Sequence, residues 1–108
     1  MAQNDDKKEK LVSFLDQKAF DPILNTSEDK YSSDSDKTKF RDVKRSTESE
    51  KRRFHDHYQS AQEVKNNYLS DLNSETAKKK NAELRDLGLP RLPQFRDDFL
   101  DLCDRLGV

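Results

Sequence analysis

Residues 40–72 read FRDVKRSTESEKRRFHDHYQSAQEVKNNYLSDL, and their spacing decides the fold class. At about 100° per residue, Phe40, Val43, Thr47, Phe54, Tyr58, Ala61, Tyr68, Leu69 and Leu72 all fall within about a 100° arc, the signature of an amphipathic helix. Two internal signals oppose one unbroken helix. Thr47-Glu48-Ser49-Glu50 and Ser60-Ala61-Gln62-Glu63 both match the capping box, in which a hydroxyl and a carboxylate three residues on satisfy free backbone donors. The reading that weighs both predicts a long helix over 36–59 and a shorter one over 61–72, bent rather than separated at Ser60.

Upstream, Leu11, Val12, Leu15 and Ala19 repeat at helical spacing, which predicts a first helix from about Lys8 to Phe20. Asp21-Pro22 is expected to end it, because a residue before proline is pushed out of the α region. The polar stretch from Asn25 to Asp36 reads as a loop whose one large apolar residue is Tyr31, with caps for the next helix at Ser33 to Ser35. Downstream, Ser74 caps a helix over 75–87 that Gly88 stops. Leu89-Pro90-Arg91-Leu92-Pro93 is an extended link whose leucines cross the core. A last helix then runs to Leu106 with Phe95, Phe99, Leu102, Cys103 and Leu106 as its stripe, and Gly107 ends it.

The expected class is therefore all-α: an irregular bundle of four or five helices in a single domain over 9–108, after a flexible N-terminal tail over 1–8. Composition agrees. Two Gly and three Pro are too few for the turns of a sandwich or barrel. With 31% hydrophobic and 40% charged residues the core must be thin, yet 21 basic side chains nearly cancel 22 acidic ones, and six Phe and three Tyr can anchor it. A chain of 108 residues has room for one domain. Met1 to Lys8 does not resemble a secretory signal, no apolar window approaches the roughly 18 residues of a membrane span, and the single cysteine can make no internal disulfide. A cytoplasmic setting without a membrane is expected.

Each candidate site has a plainer reading. In a helix, His55 and His57 lie about 200° apart, so they cannot share a metal as an i,i+4 pair would. Asp34-Ser35-Asp36 lacks the glycine of a calcium loop, and Arg45 stands where a bidentate Glu belongs, so it reads as a helix cap. Asp97, Asp101 and Asp104 sit opposite the apolar stripe of the last helix, where carboxylates stay wet, whereas catalytic ones need a partly dry cleft. Cys103, on the stripe itself, reads as a buried structural thiol. No nucleophile–base set and no phosphate-cradling loop can be drawn, so no enzyme, cofactor or metal is expected.

Charge segregation is the remaining signal. Residues 1–36 carry 5 basic against 9 acidic side chains, residues 37–56 carry 8 against 4, and residues 93–108 carry 2 against 4. Arg41, Lys44, Arg45, Lys51, Arg52 and Arg53 thus form a candidate interaction surface, expected to meet either the Asp97/Asp101/Asp104 face or acids of a partner. The leading expectation is a small non-enzymatic helical protein that binds a protein partner or itself, as a regulator or adaptor. Alternatives are a nucleic-acid-associated protein using the 37–53 helix, weakened by an overall net charge of −1 and interruptions at Asp42, Glu48 and Glu50, or an accessory subunit of an enzyme.

Overall fold

A computed structural model describes the backbone of residues 2–108 and the side chains from Asp6 onward. The described residues form six α-helical segments: α1 (Ala2–Leu15), α2 (Asp21–Leu24), α3 (Asp34–Arg52), α4 (Ala61–Leu72), α5 (Glu75–Asp86) and α6 (Arg96–Leu106). They hold no strand, and none of these helices is long and apolar enough to cross a membrane. The all-α bundle follows from the amphipathic stripes: with α1 and α2 counted as one bent helix, five helices build it.

The first helix departs from expectation at both ends. It begins at Ala2 instead of Lys8, so residues expected in the tail are helical; Met1 lies outside the described residues. It also continues past the proline. Asp16–Phe20 form a π-helical turn, closed by the Asp21 N–H donating to the Asp16 carbonyl, and Asp21 stays helical at φ −64° and ψ −36°. A proline inside an ordinary α-helix loses one hydrogen bond and clashes with the carbonyl four residues back. The wider turn moves those carbonyls, so Pro22 sits in the first turn of α2, where no N–H is needed. Ile23 is thereby buried on the continuing helix.

The middle helix departs in the other direction. Thr47 to Glu50 start nothing: both Thr47 and Glu50 are buried on the inner face of α3. A second π-helical turn, Arg53–His57, ends the helix, and Tyr58 is extended at φ −85° and ψ 134°. Ser60 is also extended; its Oγ accepts the Glu63 N–H at 3.2 Å, while the Glu63 carboxylate accepts the Gln59 N–H. The two helices are separated, not bent. Separation lets α4 fold onto α1, whereas a continuous rod would carry Ala61, Val64 and Tyr68 away from it.

Other boundaries follow their chemistry. Ser33 and Ser74 cap α3 and α5, accepting the Asp36 and Ala77 N–H groups at 3.1 and 3.0 Å. Gly88 and Gly107 take φ of +70° and +75°, the left-handed conformation that closes a helix and that glycine adopts without penalty. Apolar side chains gather in two clusters along a molecule of 48 × 22 × 19 Å. The larger lies between α1, α4 and α6, with Leu11, Leu15, Phe20, Phe54, Tyr68 and Phe99 at its centre. The smaller joins α2, α3 and α5 through Ile23, Phe40, Val43 and Leu84, closed by Tyr31 from the loop and Leu87 and Leu89 from the link.

Candidate interaction surface

Most cations of α3 are engaged inside the fold. Arg41 grips Glu28 with two hydrogen bonds of 3.0 and 2.6 Å, which hold the Glu28 carboxyl below its ordinary range. Lys51 donates to Asp21 at 2.7 Å, and that bond holds its ammonium above the usual lysine range. Arg53 approaches Asp71 at 3.5 Å, and Lys39 approaches Asp86 at 3.7 Å. Lys44 lies 5.9 Å from the Phe40 ring centroid, as a cation over an aromatic face. Arg45 and Arg52 are exposed and make no ion pair among the described residues. The acids that face this helix are therefore Asp21, Glu28, Asp71 and Asp86. The expected intramolecular meeting with Asp97, Asp101 and Asp104 does not occur, because α3 packs against α2 and α5 while α6 packs against α1.

Sequence reasoning missed the pair that joins α3 to α5. Glu50 and Lys80 meet at 3.2 Å with side chains only 11% and 13% exposed. In the Lys78-Lys79-Lys80 run, Lys78 and Lys79 are exposed and Lys80 turns inward. No short-range signal marks such a pair, because 30 residues separate its members. Asp71, at the end of α4, borders the same junction. Burial pushes its carboxyl above the ordinary range, against the pull of Arg53 and Lys80.

The acidic side of the molecule is α6. Asp98, Asp101 and Asp104 are exposed and make no ion pair among the described residues, and Asp97 meets only its neighbour Arg96, at 3.4 Å. Phe99 and Cys103 point inward and are fully buried. Leu102 is half-buried at the edge and, with Phe14 of α1, lines an open groove of about 500 Å³. Asp6, Glu9, Lys10, Ser13 and Gln17 complete its lining. The Phe14 ring reaches the core only at its inner side, 6.0 Å from Phe99 between centroids.

A second groove, over α1, holds Ser13, Asp16 and His55 among its lining residues. They do not form a catalytic relay. His55 Nε2 is taken by Asp16 Oδ2 at 2.8 Å, and the Ser13 hydroxyl lies 3.5 Å from Gln17 Nε2, with no bond from Ser13 to His55 among the described residues. Lys8 donates to the His55 carbonyl at 2.9 Å, tying α1 to the second π-turn. His57 is exposed on that turn. Burial pushes the Cys103 thiol up, away from the thiolate that redox or nucleophilic chemistry needs. Neither a family model, nor a characterised protein, nor a solved structure matches this chain.

Proposed function

We propose that this chain is a non-enzymatic protein-interaction module of the cytosol. One observation carries the reading: half of the eight cations over 37–56 are paired from within the fold by Asp21, Glu28, Asp71 and Asp86, whereas the acids of α6 have no cation from another element among the described residues. Phosphate binding draws on free Lys and Arg, each contact releasing counterions. On that helix Arg45 and Arg52 remain exposed and Lys37 half-exposed, all three without an ion pair among the described residues, with Asp42 and Glu48 exposed beside them. The exposed acids of α6 repel a nucleic acid. A mixed surface of this kind suits a protein partner, for which charge sets orientation and encounter rate more than affinity. The cytosolic setting rests on the buried free thiol of Cys103.

Chemical cross-linking of the purified full chain in native extract, read by mass spectrometry, is expected to give defined protein adducts. Gel shift of duplex DNA and single-stranded RNA at near-physiological salt is expected to give none. A clear wild-type shift at micromolar protein, lost on Arg45→Gln with Arg52→Gln, overturns the reading in favour of nucleic acid.

A further inference from the structure

We propose that the groove between the end of α5 and the start of α6 captures a single carboxylate side chain, set among apolar residues, of a protein partner. The inference rests on the interaction reading and adds to it the site and the chemistry of the partner. The groove has a volume of about 390 Å³, and its only charged lining residues are Arg85 and Arg91; no carboxylate lines it. Arg91 makes no ion pair among the described residues. Arg85 approaches only its neighbour Asp86, at 3.6 Å with both side chains exposed, a pairing that water weakens. Asp86 is shared with Lys39 at 3.7 Å. Two planar guanidinium forks therefore border one groove, and each matches the two oxygens of a carboxylate.

The backbone beneath them is fixed. Gln94 Oε1 accepts the Arg91 N–H at 2.7 Å, and the Arg91 carbonyl accepts the Gln94 N–H at 3.1 Å. One residue on, Tyr68 donates to the Leu92 carbonyl at 2.7 Å. Capture then orders side chains without ordering the loop, which lowers its entropic cost. Pro90 and Phe95 also line the groove and are half-buried, so they offer apolar contact to the residues beside the carboxylate.

The surroundings limit how much negative charge the occupant carries. Asp97 and Asp98 are exposed on the first turn of α6, two and three residues past Phe95. A nucleic acid or an anionic membrane brings repeated charges onto these acids, and two guanidiniums do not offset them. A second copy presents its free acids as a row on α6 and meets the same repulsion. One carboxylate on an otherwise uncharged segment takes both forks and avoids the acids.

The test uses the full chain, labelled with nitrogen-15, and a synthetic peptide of about nine residues, roughly 30 Å when extended. Its ends are capped, and one central Glu between leucines and serines is its only charge. The same peptide with Gln in place of Glu is the comparison. The amides of Gly88 and Arg91 are expected to shift saturably with the Glu peptide between about 0.01 and 1 mM, and not with the Gln peptide. Arg91→Gln should weaken binding by roughly tenfold, equivalent to about 1.4 kcal/mol, and Arg91→Lys should recover only part of it, because the charge returns without the fork. Arg45→Gln with Arg52→Gln removes charge from α3 and should leave binding unchanged.

Equal binding of the Gln peptide, full binding by Arg91→Gln, or no saturable shift at Gly88 and Arg91 overturns the proposal. Single-stranded RNA that shifts the same amides at lower concentration overturns it in favour of a polyanion. A Glu peptide that fails to bind while the chain still cross-links to protein in extract removes the site and leaves the interaction reading standing. Failure of both removes both.

Discussion

The two apolar clusters solve the same problem with different material. In the larger, three helices supply most of the buried residues, and the Phe14–Phe99, Phe20–Phe54, Phe54–Tyr58 and Tyr68–Phe99 ring pairs interlock them. The smaller buries 7 residues against 12, and three of its seven, Tyr31, Leu87 and Leu89, come from a loop and a link. Ordering irregular chain costs about 1–2 kcal/mol per residue of backbone entropy, so a core closed by loop residues returns less per residue buried. Each cluster compensates with a tyrosine. Tyr68 donates to the Leu92 carbonyl at 2.7 Å and Tyr31 to the Leu87 carbonyl at 2.8 Å, so the larger cluster pins the proline-rich link and the smaller pins the end of α5. Buried carbonyls at a helix end or in a short turn need such donors.

This difference predicts unequal failure. Phe54→Ala and Phe99→Ala should each cost about 3–5 kcal/mol, enough to unfold a domain of this size outright, as urea unfolding would show. Phe40→Ala empties a comparable volume in the smaller cluster, but its first effect should be local: hydrogen exchange should speed up in α3, α5 and the link while α1, α4 and α6 stay protected. Uniform loss of protection in Phe40→Ala would show that the clusters form one cooperative unit.

Between the clusters stands the Glu50–Lys80 pair. Glu50→Ala strands a mostly buried ammonium and should cost about 2–3 kcal/mol, below the range for a fully dry pair because both side chains keep some solvent. Glu50→Leu with Lys80→Met should recover most of that loss, since replacing a buried pair by apolar groups removes the desolvation cost of both charges. A double variant no better than Glu50→Ala would mean that the pair fixes how the two clusters are joined.

How much of this was legible in the sequence depends on range. Stripes and caps act within a few residues, so α4, α5 and α6 and the serine caps at 33, 60 and 74 were readable. Both errors in helix continuity arose at π-turns. A fifth residue in the turn lets a helix pass Pro22, and the same widening at Arg53–His57 precedes a true break. The spacing rule assumes 3.6 residues per turn and is blind to that insertion. The stripe from Phe40 to Leu72 runs on across the break because Phe54 before it and Ala61, Val64 and Tyr68 after it all face the larger cluster. The candidate surface was half-legible. The six basic residues do lie on one helix, but which of them are spent depends on Asp21, Glu28 and Asp71, at separations of 13 to 30 residues, which no local pattern encodes.

The smallest expected effect concerns Asp71, and it tests whether the junction between the clusters is held by charge or merely tolerates it. Its Oδ2 is buried without a hydrogen bond, and the nearest cation is Arg53 at 3.5 Å. Burial raises its folded pKa above the ordinary 3.8 despite Arg53 and Lys80, so the fold holds the proton more tightly than the unfolded chain does. Stability from this group is therefore fully present below about pH 3.8 and is lost as pH rises through the raised folded value. At pH 7 the ionised carboxylate is a net cost. Asp71→Asn keeps the shape and removes the charge, so it should unfold at slightly higher urea than wild type at pH 7, with the advantage shrinking as the pH falls through the raised folded value and gone below about pH 3.8. Were the variant instead less stable at pH 7, attraction to Arg53 and Lys80 would outweigh burial. The junction would then be an ion-pair network, in which Glu50, Lys80, Arg53 and Asp71 act together rather than as one pair with a buried bystander.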